Sequence, residues 1–142
     1  MAERLRDRRI EAFLAPRDVV VLATVQADGS PLATPMWFLY TPDALIMISE
    51  AETQKVRNLR RDPRVCVVAD SGTRADVRGV MLRGRAEFLA ESAQRTAYVR
   101  ALLDKYRPDL ARLWRGEALP PDRVLFRIVP AAVRSWNLPP AP

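Results

Sequence analysis

Apolar residues in this chain come in short bursts. Val19-Val20-Val21-Leu22-Ala23-Thr24-Val25, Leu45 to Ser49, Val65-Cys66-Val67-Val68-Ala69 and Val124 to Val129 are rich in β-branched side chains and bounded by turn residues. Runs of that length and composition suit buried strands rather than helices. They are continuous rather than alternating, so both faces need cover. Two more strands are expected. Leu32 to Tyr40 returns from a hairpin turn at Ala27-Asp28-Gly29-Ser30, and Val77 to Leu89 carries Gly79 and Gly84 as bends or bulges. Thr41-Pro42-Asp43-Ala44 makes a second turn, and Val133-Arg134-Ser135-Trp136-Asn137 lies beyond the last strand. Pro35 sits inside its strand, so the ladder is interrupted there or the strand lies at an edge.

Helices fill the rest. Glu3 to Leu14 is amphipathic and closed by Pro16. Ala93 to Tyr106 repeats Val99, Leu102, Leu103 and Tyr106 at helical spacing. Pro108 then breaks it before a turn bearing Leu110, Leu113 and Trp114, the last read as helix-packing core. Six strands in runs, with helices outside, predict a mainly β protein with flanking helices (α+β), closed into a small barrel. A Rossmann fold is excluded, since no Gly-x-Gly-x-x-Gly follows any strand. There is no repeat and no linker, so residues 1–142 are expected to form one domain.

The segment Thr53-Gln54-Lys55-Val56-Arg57-Asn58-Leu59-Arg60-Arg61-Asp62-Pro63-Arg64 is the chemically telling one. Thr53 is a good N-cap and Pro63 stops the helix after about two turns. A helix opening directly after a buried strand points free N–H groups outward, which makes an anion site. Lys55 in its first turn opposes the helix dipole, a placement that makes sense if an anion sits there too. The other arginines read as solvated surface or subunit contacts, and Asn58 as a residue that satisfies local backbone groups.

Composition removes whole classes of function. The chain has no histidine, which excludes His-based triads, His general bases and most zinc sites. No metal ligands and no catalytic carboxylate pair stand out. The one cysteine, Cys66, reads as a buried small hydrophobe, and its isolation suggests a reducing, cytoplasmic home. No apolar run approaches the ~20 residues of a membrane span, and the charged start Met1-Ala2-Glu3-Arg4 is not that of a signal peptide. A net charge of +6, mostly from arginine, suggests an anionic partner. Nucleic acid is disfavoured, because the arginine-bearing helices lack a helix-turn-helix layout and the aromatic residues lie in strands. Trp136, with little core to enter, favours a ligand or interface role.

Taken in order, several pieces resemble the pyridoxamine 5′-phosphate oxidase-like split β-barrel superfamily, whose members bind FMN or the deazaflavin coenzyme F-420. They are Val21 to Val25 with Asp28-Gly29-Ser30-Pro31, Thr34 to Phe38, Lys55 to Val65, Val80 to Glu87, and Arg134-Ser135-Trp136. The resemblance implies a six-stranded antiparallel split barrel forming a homodimer, with a cofactor in each groove between subunits. It implies that Thr34, Pro35, Met36, Trp37 and Phe38 run along the ring system and offer it main-chain groups. Ile48, Ser49, Thr53, Gln54 and Lys55 would hold the phosphate, and Trp136 would pack near the cofactor. Many relatives carry an arginine where this chain has Thr53 or Gln54. A neutral side chain can still hydrogen-bond phosphate, but one formal charge is missing, so either Arg57 or Arg60 compensates or affinity is lower. The basic residues with which the namesake oxidase grips its substrate are not found, so vitamin B6 oxidation is not expected.

The function implied is that of an oxidoreductase moving a hydride to or from a small organic substrate through F-420 or FMN, with F-420 favoured. The basic helix resembles the deazaflavin branch, and abundant arginine suits that cofactor's acidic tail. The ring carries the hydride, so no catalytic side chain is assigned. The alternative is a non-catalytic flavin- or deazaflavin-binding protein of the same fold.

Overall fold

A computed structural model describes residues 2–142. The chain runs α1 (Arg8–Leu14), β1 (Val20–Val25), β2 (Pro31–Met36), β3 (Leu39–Tyr40), β4 (Leu45–Glu50), α2 (Gln54–Arg61), β5 (Arg64–Asp70), β6 (Gly79–Phe88), α3 (Ala93–Tyr106), α4 (Asp109–Trp114) and β7 (Arg123–Trp136). The strands form one antiparallel sheet in the order β2-β1-β5-β6-β7-β4-β3. Its two edges, β2 and β3, are neighbours in sequence, so the sheet has to curl round until they meet. A mainly β architecture with helices outside is therefore what forms, as a half-barrel of seven strands rather than six. The seam is crossed by the covalent chain at Trp37 and Phe38, and among the described residues no ladder closes it.

The extra strand comes from a break in the stretch expected to run from Leu32 to Tyr40. At Phe38 both main-chain groups are taken by side chains of α3. Pro35 lies before that break on edge strand β2, exposed, which is the edge alternative of its sequence reading. In the other direction, two expected pieces fuse. The last strand continues past Val129 through Pro130 as far as Trp136. It does so because a register shift at Arg83/Gly84 leaves Ala131 unpaired opposite β6, and the strand bends there. A Cβ on Gly84 would stand 2.0 Å from the Val129 carbonyl oxygen, so the bulge requires glycine. Gly79 is not a bulge. It makes room for the Trp136 indole, which a Cβ there would meet at 2.1 Å.

Two apolar clusters result. The barrel interior gathers Ile10, Leu14, Leu22, Phe38, Met47, Leu82, Phe126 and Ile128, among others. A second cluster forms outside the sheet, where Leu102, Leu103, Tyr106 and Leu110 of α3 and α4 cover Ile46 and Leu125. Each aliphatic side chain buried this way contributes about 1.5–3 kcal/mol. Trp114 joins that second cluster as expected, whereas Leu113 is 66% exposed and does not. The first helix is shorter than its pattern suggested, because Glu3 leaves it to bridge with Val133 of β7. No helix among the described residues is long and apolar enough to cross a membrane.

Candidate functional site

The end of β4 and the start of α2 bring three of the expected residues together. Ser49 Oγ lies 3.2 Å from Thr53 Oγ1, and Lys55 Nζ lies 3.5 Å from Ser49 Oγ. Thr53 occupies the N-cap position, but its hydroxyl donates back to the Glu50 carbonyl and caps no helix N–H. The first-turn N–H groups of α2 are thereby left for another acceptor. Lys55 has no carboxylate within ion-pair distance among the described residues. Burial lowers its pKa, and Glu50 offsets only part of that. A half-buried ammonium, two hydroxyls and uncapped N–H groups form a site suited to a phosphate. Ile48, also expected here, turns its side chain to the second apolar cluster.

Gln54 departs from its expected role. Its amide nitrogen donates to Asn58 Oδ1 at 2.8 Å, and its oxygen accepts from Arg57 at 3.0 Å, so neither end faces the hydroxyl cluster. Arg57 also donates to the Glu52 carbonyl at 3.0 Å and lies back over the start of α2. Arg60 stands over the Phe88 ring, 4.3 Å from its centroid, and Arg61 donates to the Val25 carbonyl. Of the arginines proposed to replace the missing charge, Arg57 is the one turned toward the helix start. Asn58 is fully buried and donates to Thr24 Oγ1 at 3.0 Å, so it serves side chains rather than the backbone groups expected of it.

Residues 34–38 occupy the free edge of β2 and the seam. Thr34 Oγ1 is buried with no hydrogen-bond partner, an orphaned polar atom in the stretch expected to face a ring. Met36 and Phe38 point into the core. The Trp37 indole is stacked on Tyr106, with ring centroids 4.6 Å apart and planes 4° from parallel, which leaves its main chain as the part free to meet a ligand. The residues holding the seam, Lys105 and Tyr106, were not expected here. A tyrosine on the buried face of α3, whose hydroxyl must find a partner, was the available signal.

Trp136 is the last residue of β7, half-buried over Gly79, rather than lying beyond the strand. Ser49 pairs with Val124 near the opposite end of the same strand. Within one chain the structure therefore does not bring Trp136 to the Ser49–Lys55 cluster. No group of three or more metal-ligating side chains occurs among the described residues.

Comparison with known proteins bears on the fold and family. Residues 7–137 match the family described as pyridoxamine 5′-phosphate oxidase. A conserved hypothetical protein of Mycobacterium tuberculosis is similar in structure, with a TM-score of 0.78 and 30% identity over 92% of this chain and 83% of its own. A candidate pyridoxamine 5′-phosphate oxidase of Listeria innocua has a TM-score of 0.74 and 27% identity over 91% of this chain and 96% of its own. An FAD-binding protein of Mesorhizobium loti has a TM-score of 0.67 and 25% identity, over 87% of each chain.

Proposed function

The chain belongs to the pyridoxamine 5′-phosphate oxidase family, and from that premise we propose that it is an oxidoreductase holding F-420 or FMN between the subunits of a homodimer. The observation that carries the reading is Lys55: a half-buried ammonium with no carboxylate at ion-pair distance among the described residues, gathered with Ser49 and Thr53 at an uncapped helix start. A lysine is placed so when an anion completes its surroundings. The orphaned Thr34 hydroxyl adds a second polar group in want of a partner. The flavin or deazaflavin, when bound, supplies the hydride chemistry. The chain's part is to bind and orient. Lys55, Ser49 and Thr53 grip the phosphate, and the main chain and hydroxyl of residues 34–37 set the plane of the ring. Arg57 adds positive charge beside the phosphate. No side-chain acid or base is assigned.

The separation of Trp136 from Lys55 supports a groove shared by two copies, in which Trp136 of one subunit meets the cofactor held by the other. An apolar row on the outer sheet face is suited to that contact. Pro35, Val21, Val68 and Met81 stand side by side across β2, β1, β5 and β6, with Val21 and Val68 each 37% exposed. F-420 is favoured over FMN because the arginines of α2 suit an acidic tail. Titration with both cofactors at rising salt tests the choice. F-420 affinity is expected to fall more steeply with ionic strength, since more charges are screened together. Equal slopes, or tighter FMN binding throughout, would assign FMN instead. Failure to bind either would overturn the reading.

A further inference from the structure

The break at Trp37 and Phe38 is held from α3, far away in sequence. The Phe38 amide donates to the Tyr106 hydroxyl at 2.9 Å, and that hydroxyl donates to the Asp18 carbonyl at 2.7 Å. Lys105 Nζ donates to the Phe38 carbonyl at 2.8 Å and stands 4.0 Å from the Phe38 ring centroid. Both main-chain groups that an unbroken strand would have given to a ladder are thus taken by adjacent residues of one helix. Trp37, the other residue of the break, is stacked on the same tyrosine. We propose that Lys105 and Tyr106 are positioning residues of the cofactor site, clasping the seam from behind so that residues 34–37 keep the shape a ring ligand lies against. This rests on the cofactor reading above.

Docking of α3 does not require the lysine. Leu102, Leu103 and Tyr106 already give that helix an apolar face. No carboxylate lies within ion-pair distance of Lys105 among the described residues. Burial pushes its pKa down to about 8, opposed only in part by Asp18 from the segment before β1. Lys105 is thus a desolvated ammonium whose nearest partner is the seam carbonyl of Phe38 rather than an acid, a placement that points to a task at that carbonyl. The other titratable group beside it is the Tyr106 phenol, pushed up to about 12 and so neutral throughout.

The test measures FMN affinity by flavin fluorescence, with F-420 as second probe, in the parent, Lys105→Met, Lys105→Arg and Tyr106→Phe. Apo thermal stability and the Phe38 amide resonance are followed in the same proteins. Lys105→Met is expected to bind FMN about tenfold more weakly, the lower end of a charge-assisted hydrogen bond, while melting no lower than the parent. Arginine at 105 should restore most of the affinity. The parent's affinity should fall as pH rises through about 8, a step that Lys105→Met loses. Tyr106→Phe should move the Phe38 amide resonance and weaken binding. If Lys105→Met binds FMN like the parent, or loses affinity only in step with a fall in melting temperature that arginine does not rescue, this proposal is overturned alone. A parent that binds neither cofactor overturns the cofactor reading and this proposal with it.

Discussion

Lys55 and Lys105 are both ammonium groups that burial disfavours, and each makes a sharp expectation. Replacing Lys55 with Ala should weaken FMN binding tenfold to a hundredfold, the loss of about 1.5–3 kcal/mol from a charge-assisted contact. The apo protein should melt at the same temperature or slightly higher, because the charged side chain is desolvated and sits where the helix dipole opposes it. Arg61→Ala, at the other end of α2 with its guanidinium on the Val25 carbonyl, should leave affinity nearly unchanged. Fluorescence titration and thermal melting of the two variants separate ligand site from surface. For Lys105 the sign of the pH effect follows from its folded pKa of about 8 against an ordinary value of 10.5. Between those values the unfolded chain holds a proton that the folded one gives up, so this residue makes stability rise with pH across that window. Urea unfolding at several alkaline pH values should show a rise in the parent that is smaller in Lys105→Met. An unchanged slope would mean the amine is effectively solvated. Thr53 and Lys55 could be singled out from the sequence because helix-start chemistry is local, whereas Ser49 entered only through the family resemblance; the fold brings the three together. The partners of the Gln54 side chain were not legible, because the winding of α2 turns it onto Asn58. Nothing local to Lys105 hints at a carbonyl that the fold brings from residue 38.

At the scale of elements, α2 is docked as much by a polar relay as by its apolar face. Val56 and Leu59 bury against the barrel, and Asn58 between them links Gln54 to Thr24 of β1. Asn58→Ala leaves the buried Thr24 hydroxyl without its donor and opens a small void. It should cost about 1–3 kcal/mol, read as a lower urea midpoint at constant slope. A smaller loss would show that water enters and satisfies the hydroxyl. Because α2 also presents Lys55, the same variant should weaken FMN binding. Where elements begin and end was readable wherever a residue acts on its own neighbours: the Asp28-Gly29 turn, the stop before Pro63, and the fall of α3 at Tyr106. The break at Phe38 and the fusion across Pro130 were not, because each depends on a distant partner: α3 in one case, the register of β6 in the other.

For the whole molecule, the row Pro35, Val21, Val68 and Met81 predicts a partner on the outer sheet face. Val68→Asp, which places a charge on an already exposed position, should leave the monomer folded and shift sedimentation from dimer to monomer. On the proposed dimer reading, cofactor affinity should fall with it, because the groove between Trp136 of one copy and Lys55 of the other would be lost. A variant that stays dimeric would move the interface elsewhere. The order of strands has one more consequence, for the chain as it is made. β7 comes after every other strand in sequence yet lies between β6 and β4. Until residues 123–136 have emerged from the ribosome, the β3–β4 hairpin has no sheet to join. The four strands β2-β1-β5-β6 can pair early, as a curved wall with one open side. The barrel is completed late and at once, by a single insertion whose contacts span much of the sequence, a topology that favours slow folding.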